Sequence, residues 1–160
     1  MIVYKPISKI AAITFDLDDT FYANWPYIIE AEQHLRAYIK ASFPEAAHFN
    51  NEQWHQFKAE ALIQEPSLKN DMGVLRKRTL HAAFVAAAMP SDDIDKAVQR
   101  CFDIFYDKRS DFTVDENVHQ VLNQLSEKVP LVAITNGNVD CEKIGIAPYF
   151  THVLHANQTQ

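Results

Sequence analysis

Glycine is scarce, with three residues in 160. A backbone that needs glycine does so at few places, and Gly137 and Gly145 fall in its last quarter. Cysteine is scarcer. Cys101 and Cys141 are isolated, without the close spacing of a metal or redox pair. Together with the lack of a signal-peptide pattern, this places the chain, as an expectation, in a reducing cytoplasm. No apolar run approaches the roughly 18 residues that would span a bilayer, so no membrane is expected as a partner. Positive charge is in deficit, with 15 Lys and Arg against 21 Asp and Glu and a net charge of −6. No strong basic face for nucleic acid is implied, and no nucleic acid is expected as a partner. The one basic cluster, Arg76-Lys77-Arg78, reads as a solvated helix face. Seven histidines are scattered. His152 and His155 are three apart on an expected strand, face opposite sides, and cannot chelate together. No repeat or low-complexity segment is visible.

What is present is a chain 48% hydrophobic and 22% charged, enough for one core and a small second module. Ile10–Phe15 has the length and composition of a buried strand. Asp16, Asp18 and Asp19 follow directly, with Thr20. In parallel α/β sheets, ligands bind at that end of the strands. A period of two sends Asp16 and Asp18 to one side. Two neighbouring carboxylates need a cation or a shared proton, and a hard divalent ion such as Mg²⁺ suits oxygen ligands and a phosphate substrate. The plainer alternative is an acidic loop of turn formers or helix caps. A second strand, within Pro130–Asn138, ends in Thr135 and Asn136-Gly137-Asn138. Positive φ at Gly137 would aim successive N–H groups at an anion, and the Thr135 hydroxyl adds a donor. An ordinary Asn-Gly turn is the alternative.

Between these strands the pattern is helical. Asn24 serves as an N-cap with Pro26 in the first turn. Ile28, Ala31, Leu35, Tyr38 and Ile39 form an apolar stripe that Pro44 ends. Trp54, Phe57 and Ala61 form a second, and Val74–Ala88 an Ala-rich third helix. A fourth starts with Ser91, Asp92 and Asp93 as N-cap and first turn. It buries Ile94, Ala97, Val98, Cys101, Phe102 and Phe105, and Lys108 and Arg109 fall near its end. Asp115 or Glu116 then starts a helix with Val118, Val121, Leu122 and Leu125 inward. Leu131–Thr135 is a strand, Asp140–Ile144 a short helix stopped by Gly145, and Thr151–His155 a third strand. Residues 1–9 form a lead-in.

Asp16-Leu17-Asp18-Asp19-Thr20 after an apolar strand resembles the first motif of the haloacid dehalogenase superfamily, in which position 19 is often Gly. Pro130–Asn138 resembles its second motif, and the helices between resemble its helical cap. The resemblance implies an α/β fold, a partial Rossmann-like core with a parallel sheet over residues 1–22 and 112–160, and an all-α cap over 23–111. Hinges would lie near Phe21–Asn24 and Ser110–Val114. It also implies Mg²⁺-dependent hydrolysis of a small-molecule phosphate ester through an aspartyl-phosphate. Asp16 would be the nucleophile and Asp18 the general acid and base. Mg²⁺ would sit on the Asp16 carboxylate and the Asp18 carbonyl. Thr135 and the Asn136 backbone would bind phosphate, and Thr20 would support the loop. Asp18 argues against dehalogenation, because a halide needs no acid to leave. Tyr4–Ile29 and Pro130–Asn138 resemble the branch acting on 5-amino-6-(5-phospho-D-ribitylamino)uracil and flavin mononucleotide, in riboflavin biosynthesis; a generic sugar phosphatase is the alternative. The superfamily carries a further lysine and an acidic pair beyond the third strand, yet no Lys follows Lys143. The sequence therefore reads as C-terminally truncated. A catalytically silent fragment or binding module is then the competing function, and the first strand becomes an open edge for self-association.

Overall fold

The computed structural model describes residues 9–155. The lead-in as far as Ser8, and the closing Ala156–Gln160 where the truncation was read, lie outside the described residues. Three parallel strands, β1 (Ile13–Phe15), β2 (Leu131–Thr135) and β3 (His152–His155), form one sheet in the order β1-β2-β3. Ile13 sits opposite Leu131 and Phe15 opposite Ala133; on the other side Val132 faces His152 and Thr135 faces His155. β2 spans the expected residues, but β1 is half the expected length. Its pairing explains this. Ile13 N–H donates to Pro130 O at 3.0 Å, and Pro130 has no N–H to carry the ladder further back. Ile10 to Ala12 are left exposed.

The helix α5 (Glu116–Ser126) packs on one face of the sheet. Val118, Leu122 and Leu125 join Leu17, Val114, Leu131 and Ala133 in one apolar cluster. Val121, expected inward, is exposed, because Val118, Leu122 and Leu125 already make the stripe that meets the sheet. The opposite face, with Thr14, Ile134, His152 and Leu154, is exposed. Asp140–Ile144 is a set of hydrogen-bonded turns rather than a helix. Asp140 Oδ1 accepts from Glu142 and Lys143 N–H, and Gly145 ends the turns at φ +81°.

Helices α1 (Asn24–Ser42), α2 (Asn51–Gln64), α3 (Met72–Ala86) and α4 (Ser91–Arg109) build a second cluster around Leu35, Ile39, Leu80, Phe84, Cys101 and Phe105. Most residues of the expected stripes are buried, with Ile28, Tyr38, Phe57 and Phe102 half-buried. Asn50 and Gln53 form a reciprocal capping box at α2. Asn24 is not a cap. It is the first residue of α1, its N–H donates to Asp19 Oδ1 at 2.8 Å, and its amide oxygen accepts from Arg109. Arg76 is not solvated. It pairs with Glu32 at 2.6 Å and lies 3.3 Å over the Phe105 ring, bridging helices. Among the described residues no helix is long and apolar enough to cross a membrane.

Candidate active site

β1 hands the chain to a loop anchored by Leu17, whose side chain is fully buried. Thr20 and Phe21 N–H both donate to Leu17 O at 3.2 Å. Phe21 packs between Phe15 and Phe150, with centroids 5.3 and 6.0 Å away. With Leu17 inward, its neighbours turn out: Asp16 is exposed and Asp18 half-buried. Asp16 Oδ1 accepts from Leu17 N–H at 2.8 Å. Asp19 holds φ +57°, the left-handed conformation that Asp tolerates better than most residues and glycine best. Thr20 is exposed.

Asp18 accepts two side-chain hydrogen bonds among the described residues. Its Oδ1 accepts from Tyr22 Oη at 2.6 Å and from Arg109 Nη2 at 2.9 Å. Its Oδ2 lies against the loop after β2: a Cβ on Gly137 would stand 2.4 Å from it and 3.2 Å from Thr135 Oγ1. Glycine is therefore required at 137 for close approach. The expected positive φ is absent; Gly145 is the glycine that adopts it. Gly137 N–H donates to Thr135 Oγ1 at 2.9 Å, and Thr135 is 1% exposed. The Thr135 oxygen thus accepts one bond and still has a hydroxyl proton to donate. Asn136 is exposed beside it. The loop opens on a cleft of about 210 Å³ lined by Thr135, Asn136, Asn138 and His155, and from the helices by Phe102 and Tyr106. Asp16 does not line this cleft. Burial, and then the Asp18 hydrogen bond, push the Tyr22 hydroxyl well above the usual phenol range, so it stays a donor.

In sequence Arg109 reads only as the end of a helix. It is 1% exposed, its carboxylate partner is Asp18, and its Cζ lies 5.6 Å from the Tyr22 ring centre. Ile94, Val98, Cys101 and Phe105 are buried at spacings of four, three and four. Arg109 follows Phe105 by four more, so the apolar periodicity itself marks the position as inward.

For a divalent ion, the Asp16 carboxylate and the Asp18 carbonyl would be the oxygen donors, the ligand chemistry that Mg²⁺ takes alongside water and phosphate. Among the described residues no group of three or more His, Cys, Asp or Glu converges on a metal position. In donor chemistry, though not in number, these oxygens fit the ion.

No protein-family model matches the chain. It is 34% identical over 153 residues to the 5-amino-6-(5-phospho-D-ribitylamino)uracil phosphatase YigB of Escherichia coli, covering 96% of this chain and 64% of that protein. A 2-haloacid dehalogenase from Pseudomonas syringae matches in structure with a TM-score of 0.88 and 32% identity, over 94% of this chain and 65% of that one. The magnesium-bound hydrolase YfnB of Bacillus subtilis, at 14% identity, shares the fold with a TM-score of 0.59, over 93% of this chain and 66% of its own. The chain shares its fold with these haloacid dehalogenase-like hydrolases and is similar in sequence to the first two. It spans just under two thirds of the length of these relatives.

Proposed function

We propose that the chain carries the nucleophile-bearing part of a phosphomonoester hydrolase. The carrying observation is the seating of Asp18 against Gly137 and Thr135, which joins the end of β1 to the end of β2. A phosphate held by the Thr135 hydroxyl and the Asn136 N–H would face the strand end that bears Asp16. The Asp16 carboxylate attacks phosphorus and the ester P–O bond breaks, giving an aspartyl-phosphate. Asp18 gives a proton to the departing alkoxide. It then takes a proton from water, which attacks phosphorus, releases phosphate and restores Asp16. Tyr22 and Arg109 occupy Asp18 Oδ1, so Oδ2, on the Gly137 side, is the oxygen left to exchange protons. When bound, Mg²⁺ would neutralise charge between Asp16 and the phosphate.

The name of the Escherichia coli relative supports 5-amino-6-(5-phospho-D-ribitylamino)uracil as substrate. Flavin mononucleotide stands on resemblance alone, and a generic sugar phosphate is the alternative. A second reading, a binding module with little turnover, is favoured by the absence of a third metal-binding side chain among the described residues. Both cysteines are free and buried, in agreement with a cytoplasmic location. β1 is an edge strand of the described sheet and the face bearing Ile134 and Leu154 is bare. Self-association through that edge is part of the proposal, to be checked by molar mass in solution.

The test is p-nitrophenyl phosphate hydrolysis with Mg²⁺. Asp16→Asn is expected to lower turnover by about 10³-fold or more with unchanged circular dichroism. Retention of more than about a tenth of the activity would sink the assignment.

A further inference from the structure

The C-terminal end of α4 is where the helical region meets the catalytic loops. Lys143 pairs with Asp107, and Ser110 Oγ accepts from Asp140 N–H at 2.9 Å. Phe112 stacks on Tyr27 at 3.8 Å and meets the Tyr22 ring edge-on at 4.8 Å. Arg109 sits amid these contacts, and its one nitrogen, Nη2, bonds both Asp18 Oδ1 and the Asn24 amide oxygen. It thus reaches the acid–base loop and the first turn of α1 together. Its Nη1 is buried with no hydrogen-bond partner among the described residues. A buried guanidinium with an unsatisfied nitrogen is a poor stabiliser compared with an apolar side chain of like volume. Stability therefore does not explain why an arginine ends this apolar stripe.

We propose that Arg109 is a positioning residue: it ties the last helix of the cap to Asp18 and holds that carboxylate with Oδ2 toward Gly137. The catalytic part of this rests on the phosphatase reading; the mechanical tie does not. The tie fixes which oxygen of Asp18 meets the leaving group. It also makes the placement of α4 and the aim of Asp18 one variable, because any displacement of α4 pulls on Oδ1.

The test has two arms. The kinetic arm compares kcat/KM for p-nitrophenyl phosphate and glycerol phosphate in the wild type, Arg109→Met and Arg109→Lys. This ratio reports only steps up to transfer onto Asp16. Nitrophenolate leaves without a proton, whereas an alkoxide needs one from Asp18. Arg109→Met should lower kcat/KM for glycerol phosphate about 10²-fold and change that for p-nitrophenyl phosphate by a few-fold at most. Arg109→Lys, which keeps the charge, should recover part of the difference. Equal losses on both esters, or none, overturn the proposal. The second arm is amide hydrogen exchange, which needs no turnover. Residues 19–24 and 110–114 should exchange about tenfold faster in Arg109→Met and in Asp18→Ala, and no faster in the double variant. Amides inside α1 to α4 should not change. Additive effects overturn the tie. If Arg109→Met does not fold, Arg109→Lys and Asp18→Ala complete the same cycle. A wild type that hydrolyses neither ester defeats the phosphatase reading, and exchange alone then decides the tie.

Discussion

The helical region, residues 24–109, and the sheet region are built on different terms. In the first, α1 to α4 enclose their own apolar cluster, with Phe84 fully buried and Leu35, Leu80 and Phe105 at 2% exposure or less. In the second, strands of three, five and four residues are covered on one face by α5 and bare on the other. Yet every candidate catalytic group belongs to the sheet region. Local stability follows buried apolar contacts, and functional loops are drawn from the less stable end. The contrast teaches that the packed part supplies rigidity, and the thinly covered part carries the candidate reactive groups. Arg109, rooted in the first and bonded to the second, is their joint.

The strongest way to break this contrast is to remove packing from the helical side. Phe84→Ala should cost about 3–5 kcal/mol in urea unfolding. If it costs under about 1 kcal/mol, the helical cluster is not the stable half. A smaller effect sharpens the other side. Gly137→Ala places a Cβ where Asp18 Oδ2 now lies. It should reduce p-nitrophenyl phosphate turnover on the order of 10²-fold while leaving helical circular dichroism intact. The mildest test uses pH. Burial pushes the Cys101 thiol up to about 12. A raised folded pKa means its stabilising contribution is whole below the unfolded value, near 8.5, and is lost as pH climbs from there toward 12. The melting temperature should fall through that window, and Cys101→Ala should flatten the fall.

Legibility followed the same divide. The helical stripes were readable because burial there follows one period, 3.6 residues, over many turns. Leu131–Thr135 was readable because a central strand is apolar throughout. β1 came out shorter than its apolar run, since pairing with a partner that starts after Pro130, not hydrophobicity, sets its length. Gly137 was rightly singled out for the wrong reason: its need is the approach of Asp18 from another strand, a contact that local propensity does not encode. Arg76 reads as surface because charge is taken as solvent-seeking, and Arg109 reads only as the end of a helix. One instead bridges helices over an aromatic ring and the other ends an apolar stripe on a carboxylate.

The central claim is that Asp16 becomes covalently phosphorylated. The chain would be mixed briefly with p-nitrophenyl phosphate and Mg²⁺, quenched in acid, reduced with borohydride and mapped by peptide mass spectrometry. An aspartyl-phosphate reduces to homoserine, and the account predicts homoserine at position 16 and nowhere else. Homoserine at Asp18, or turnover with no trapped residue at all, would contradict it.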